Sequence, residues 1–134
     1  MTFKFELVSP ERLLVSADVN EVIVPGAEGD FTILPLHAPF ISTLRPGVLT
    51  APNLDGKEAR FFVRGGFAEA GPDALTVLAE IAIPISELTD ASFASQIQLA
   101  QHDLSSAPDD EAKYAATDIL ERLTSLRESL RLAS

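Results

Sequence analysis

Apolar and polar residues alternate from the start of the chain. Phe3, Phe5 and Leu7 interleave with Lys4 and Glu6, which puts the apolar side chains on one face of a strand. Further short apolar runs follow at Leu13 to Ala17, Val19 to Val24, Phe31 to Leu34, Val48 to Ala51, Ala59 to Val63 and Leu75 to Ile83. Turn-forming residues separate them: Ser9-Pro10, Pro25-Gly26, Gly29-Asp30, Pro46-Gly47, Asp55-Gly56 and Gly71-Pro72. Asp55-Gly56, set between two such runs, reads as a hairpin turn. About ten short strands with no helical stretch among them predict an antiparallel β-sandwich. All 7 glycines and 8 of the 9 prolines fall before residue 85, which marks the boundary of this part.

After Pro84 the period changes. Phe93, Ile97, Ala100 and Leu104 form one helical stripe, with Thr89 placed to cap its start. Ser105-Ser106-Ala107-Pro108 interrupts the pattern. Ala112, Ala116, Ile119, Leu123, Leu126 and Leu130 then make a second stripe. Asp109, Asp110 and Glu111 lie where a helix N-terminus favours negative charge, and Arg127 and Arg131 where its C-terminus favours positive charge. Asp118 and Arg122 are spaced as an i,i+4 pair. The expected organisation is therefore a β-sandwich over residues 1–84 and an antiparallel two-helix hairpin over 85–134. Each helix offers a narrow stripe with small residues beside it, so the hairpin is expected to be marginally stable and able to detach.

Charge and composition narrow the chemistry. The formal net charge is −10, which disfavours nucleic acid and anionic lipid as partners. There are no cysteines, so disulfides, thiolate metal sites and cysteine nucleophiles are excluded. Only His37 and His102 offer imidazoles, and neither sits in a metal-ligand spacing. No apolar stretch reaches the roughly 20 residues of a membrane helix. Met1 to Glu6 lacks the features of a signal or transit peptide, so a cytosolic protein is expected, with membrane association only through a partner.

The segment from Val24 to Pro39, containing Gly26-Ala27-Glu28-Gly29-Asp30 and Leu34-Pro35-Leu36-His37-Ala38-Pro39, resembles a signature of the epsilon subunits of bacterial F-type ATP synthases, equivalents of the mitochondrial delta subunit. Arg45-Pro46-Gly47, Phe62 to Glu69 with its Gly65-Gly66 pair, and Thr76-Val77-Leu78-Ala79 match further family segments in order. The resemblance covers essentially the whole chain. It implies a non-catalytic central-stalk subunit, without cofactor or metal, at the cytoplasmic face of a bacterial inner membrane. The partners implied are the gamma subunit and the c-ring, with the alpha and beta subunits of the catalytic head as further partners of the helical tail.

Carried over by residue, the resemblance puts Glu28, Gly29, Asp30, Phe31 and His37 at the c-ring. It puts Leu44, Arg45, Pro46, Gly47, Arg64, Gly65, Gly66, Phe67 and Glu69 on one face toward gamma, with Gly65-Gly66 in a turn. Arg122, Arg127 and Arg131 are the tail cations that a regulatory role would use. From Asp109 onward the tail carries six acids against four bases, so inhibition of ATP hydrolysis is expected to be weak. Some family members bind ATP through a motif [IL]-D-x-x-R-A. Here the aligned residues are Leu88, Thr89 and Ser92, and without the arginine a phosphate loses its guanidinium partner, so ATP binding is expected to be weak or absent.

Plainer readings exist for each residue. The glycines suit positive φ or close backbone approach in turns. His37 is readable as a catalytic imidazole, as a hydrogen-bonded loop residue or as a partner contact, and the sequence offers no nucleophile for the first. Glu28 and Asp30 are readable as a carboxylate pair or as an acidic edge. The rival functional reading is a stand-alone β-sandwich ligand-binding module, which calls for exposed aromatic platforms. The chain has no Trp and one Tyr, at position 114 in the tail.

Overall fold

The computed structural model describes residues 1–133, with side chains described through Ser129. The chain divides into two compact units, Met1–Ser86 and the segment from Glu87 on.

The first unit is an eight-stranded sheet folded on itself. Its strands are β1 (Phe3–Val8), β2 (Leu13–Val19), β3 (Val22–Gly26), β4 (Gly29–Ile33), β5 (Phe40–Thr43), β6 (Gly47–Leu54), β7 (Lys57–Ala70) and β8 (Ala74–Pro84). The last two are long. The first half of β7 pairs β6, from Ala51↔Ala59 to Gly47↔Val63, and its second half pairs β5, from Thr43↔Phe67 to Phe40↔Ala70. The start of β8 lies between β7 and β1, and its end pairs the start of β7. Each long strand thus serves both layers. One layer runs β2, β1, start of β8, end of β7, β5; the other runs β4, β3, β6, start of β7, end of β8. Counted by layer, the eight strands supply ten segments, close to the number expected, although β5 was not among the apolar runs read from the sequence. The pairing is antiparallel except for β1 beside β8, which is parallel.

Gly65-Gly66 is the point of difference. The sequence suggested a turn there, but the β7–β8 register continues unbroken across it, from Arg64↔Ile81 to Gly66↔Ala79. Both glycines take positive φ, 72° and 92°. The strand bends at this pair and passes from one layer to the other without reversing. Of the other glycines read as turn formers, Gly29 has positive φ (127°) and Gly26 does not. Gly26 serves by close approach, since a Cβ there would lie 2.7 Å from the Phe31 ring.

Phe3, Phe5, Leu7, Val15, Val19, Val22, Val24, Ile33, Leu49, Phe61, Val63, Leu75 and Val77 fill the space between the layers. The alternation read in β1 is the observed one, with Lys4 exposed and Phe5 and Leu7 fully buried.

The second unit pairs α1 (Asp90–Ser105) with α2 (Asp110–Ala133). Thr89 caps α1, its Oγ1 accepting the Ser92 N–H at 3.2 Å. Asp109 does the same for α2, accepting the Ala112 N–H at 2.8 Å. The link that turns the chain back is short, and the two helices pack on each other. Phe93, Ala100, Ala116 and Leu123 are buried, all on the expected stripes. Leu130 belongs to the second stripe by sequence, but its side chain lies outside the described residues.

Candidate functional site

The first site builds up from the β3–β4 hairpin. Gly26↔Gly29 is its last pair, which leaves Ala27 and Glu28 at the tip. Glu28, Gly29 and Asp30 are exposed, and Phe31 is half-buried. β4 edges one layer and β5 the other, and Ala27–Phe31 and Phe40–Thr43 line a shallow groove between them. The two strands are tied at one end by the Ala27 N–H donating to Thr43 O at 3.0 Å. The Phe31 and Phe40 rings meet edge to face, with centroids 5.1 Å apart. His37 packs its ring 6.3 Å from Phe40. Its Nδ1 lies 2.7 Å from Ala38 O. A carbonyl only accepts, so Nδ1 carries the proton.

This edge is apolar as well as acidic. Leu34 is 52% exposed, Leu36 63%, Phe40 45% and Ile41 64%, more apolar surface in one short segment than a solvated loop needs. Leu36 also holds a left-handed backbone, φ 66°, fixed by its N–H donating to Pro72 O at 3.0 Å. Sequence reading missed Leu34, Leu36, Phe40 and Ile41. The signal was available: apolar residues punctuated by Pro35 and Pro39 cannot all turn toward a core.

The second set of residues is less unified than expected. Leu44 and Pro46 are buried, and Leu44 belongs to the core cluster. The segment is pinned inward by the Leu44 N–H to Gly66 O (3.0 Å) and the Arg45 N–H to Pro25 O (2.9 Å). These residues shape the corner and leave Arg45 and Gly47 half-exposed. Val63 points into the core before the bend and Ala68 and Ala70 after it. By strand alternation Arg64 therefore lies outside one layer, and Phe67 and Glu69 outside the other. A single face holding all of them does not exist, because the Gly65-Gly66 bend stands between. Phe67 and Glu69 share their surface with their pairing partners Leu78 and Thr76 on β8 and Thr43 and Ile41 on β5.

In the hairpin, Thr89 and Ser92 are joined to each other, with hydroxyl oxygens 3.1 Å apart, so both are engaged in the α1 cap. Arg122 Nε lies 3.5 Å from Asp118 Oδ2, the i,i+4 pair read from sequence. The Nε of Arg127 is buried without a hydrogen bond. Arg131 lies, in its side chain, outside the described residues. Among the described residues no three His, Asp or Glu side chains gather as a metal site, and no helix is long and apolar enough to cross a membrane.

A bent sandwich with an open acidic and apolar edge, joined to a narrow helical hairpin, is the form of a docking subunit. Comparison with known proteins gives the family. The model for the "ATP synthase, Delta/Epsilon chain, beta-sandwich domain" matches residues 2–85. The ATP synthase epsilon chain of Mesorhizobium japonicum is 46% identical over 96% of this chain and 95% of its own length. That of Jannaschia sp. is 48% identical over 86% of each. The chain belongs to the ATP synthase epsilon-chain family, a non-catalytic subunit of that complex. The fold matches a chain in the Euglena gracilis mitochondrial ATP synthase structure of OSCP, F1 and c-ring, with TM-score 0.72, 21% identity, and coverage of 96% of this chain and 81% of that one. It also matches a chain in the Tetrahymena thermophila central stalk and c-ring structure, with TM-score 0.61, 14% identity, and coverage of 93% and 96%.

Proposed function

We propose that this chain is a rotor subunit of a proton-translocating F-type ATP synthase, held between the gamma subunit and the c-ring at the cytoplasmic face of a bacterial inner membrane. The observation that carries this reading is near-full-length likeness to bacterial epsilon chains, combined with an exposed edge of the right chemistry. The c-ring meets Glu28, Gly29, Asp30, Phe31 and His37, joined by Leu34, Leu36, Phe40 and Ile41. An apolar patch beside acidic residues suits a partner whose loops carry basic and amide groups, with charge setting encounter and register and apolar contact supplying affinity. Gamma meets Phe67 and Glu69 with their row neighbours Leu78 and Thr43, and reaches Arg45, Gly47 and Arg64 around the bend. The sandwich is the coupling domain and the hairpin is a regulatory tail of weak effect, acting on the alpha and beta subunits through Arg122, Arg127 and Arg131.

Copurification tests this. The full-length chain, expressed with the remaining subunits, is expected to recover gamma and the c-ring. The double substitution Glu28→Lys with Asp30→Lys is expected to lose the ring while keeping gamma. Recovery of neither partner by the unmodified chain would refute the role.

A further inference from the structure

We propose that Asp55-Gly56 is a site of isoaspartate formation in this chain, and that the side chain of Asn53 holds the reaction in check. An aspartate followed by glycine presents the least hindered amide nitrogen for attack on its own side-chain carboxyl. Both residues are exposed. They form a two-residue loop closed by Leu54↔Lys57, with φ of 52° at Asp55 and 84° at Gly56, the two positive values of a type I′ turn.

The reaction balances with water alone. The Gly56 nitrogen bonds to Asp55 Cγ, the Cγ–OH bond breaks, and hydroxyl and amide proton leave as one water. The product is a five-membered cyclic imide. One water then re-enters and cleaves either imide C–N bond. Cleavage at the main-chain carbonyl carbon of Asp55 leaves the backbone running through Cβ and Cγ, the isoaspartyl linkage.

The brake is the Gly56 N–H, which must be given up for the nitrogen to attack. It donates to Asn53 Oδ1 at 3.0 Å. Asn53 reaches it because the β6–β7 register shifts between Ala51 and Leu54. The extra residue falls at Pro52-Asn53, and Pro52 has no N–H to lose from the ladder. An isoaspartyl linkage adds a backbone carbon to a loop that closes with two residues, so the Leu54↔Lys57 pair opens. The turn shares a shallow depression with Met1, Thr2, Asp18, Val19 and Asn20. None of these lines the acidic groove, so ageing at this turn is separable from docking.

The test uses the full-length chain and three variants, N53A, N53D and D55E, incubated at physiological temperature and pH. Isoaspartate is quantified by methylation with a protein isoaspartyl methyltransferase and located by peptide mass spectrometry. N53A is expected to accumulate it roughly 2- to 10-fold faster than the unmodified chain, the range a single net hydrogen bond supports. N53D, whose carboxylate still accepts from the Gly56 N–H, is expected to age at the original rate. D55E is expected to show none at this turn, because its imide ring has six members. Equal rates in N53A and the unmodified chain, a rate in N53D as fast as in N53A, or isoaspartate located away from residue 55 would each overturn the proposal.

Discussion

Gly66 carries the sharpest stability prediction. A Cβ at this position would sit 1.8 Å from the carbonyl oxygen of Leu78 and 2.8 Å from its carbonyl carbon. Both are backbone atoms of a strand paired on each side, with Phe67 of β7 and Val8 of β1. No rotamer relieves the clash. To reach even a tight 3.0 Å contact the strands must part by about 1.2 Å, which takes a hydrogen bond of normal length out of range. The backbone also holds φ at 92°. A left-handed backbone costs an alanine roughly 1–2 kcal/mol. Losing two ladder hydrogen bonds adds about 1 kcal/mol each. Gly66→Ala is therefore expected to destabilise by about 3–4 kcal/mol, a large share of the roughly 5–15 kcal/mol that a small protein has.

Two other glycines separate the causes. Gly29 has φ 127° and open space where a Cβ would stand, with nothing within 4 Å, so Gly29→Ala carries conformational strain alone, about 1–2 kcal/mol. Gly71 has neither strain nor neighbours, so Gly71→Ala is expected to be neutral, or stabilising by up to about 1 kcal/mol. Urea unfolding of the three variants gives the order, with a midpoint lowered by roughly 2 M for Gly66→Ala at a slope of about 1.5–2 kcal/mol/M. Amide exchange at Phe67 and Leu78 reports on the bend itself. A Gly66→Ala protein within about 1 kcal/mol of the original, or an effect no larger than that of Gly29→Ala, would refute the steric argument.

Thr89→Ala and Asp109→Ala each remove a cap and are expected to cost about 1 kcal/mol, with faster amide exchange in the first turn of the helix concerned, while Thr89→Ser holds close to the original. Leu36→Gly relieves a left-handed backbone and removes an exposed side chain, so the urea midpoint is expected to move by less than about 1 kcal/mol equivalent while c-ring capture falls; loss of stability without loss of capture would count against the proposed docking edge. Isothermal titration with ATP is expected to detect no affinity tighter than millimolar, since Thr89 and Ser92 occupy the motif positions and are engaged in the cap. Removal of residues 88–134 is expected to leave ATP hydrolysis by the assembled complex largely unchanged, and a several-fold rise would reject the weak-tail reading.

The core strands and both helices were readable because their periods are clean. Phe3, Phe5 and Leu7 alternate, and Phe93 and Ala100 recur at helical spacing, so each segment declares its own conformation and its own buried face. β5 was not readable. Phe40–Thr43 is short, follows Pro39, exposes three of its four residues and owes its existence to pairing with a distant partner, the end of β7. The same reason hid the bend. A pair of glycines after an apolar run reads locally as a chain reversal, and only the constant register against β8 on both sides shows that the strand continues. The expected single face was lost for a geometric reason. Residues adjacent in sequence across Gly65-Gly66 point out of different layers, and no local signal separates Arg64 from Phe67.

The bend also divides the molecule by stiffness. β7 and β8 run through both layers, so a displacement at one end of the sandwich passes to the other along covalent chain and a ladder of constant register, without a loop between them. Gly66 makes this possible by removing the one atom that would push the strands apart. The hairpin has no comparable continuity. Its buried side chains among the described residues are Phe93, Ala100, Ala116 and Leu123, two of them alanines, against a sandwich core that includes three phenylalanines and many branched residues. Local opening follows buried apolar area, so the helices are expected to open at lower free energy than the sheet, which amide exchange in the two units would check. In the proposed rotor role this ordering is required physically. The part that bears load between shaft and ring must not open under it, and the part that changes partners must open first.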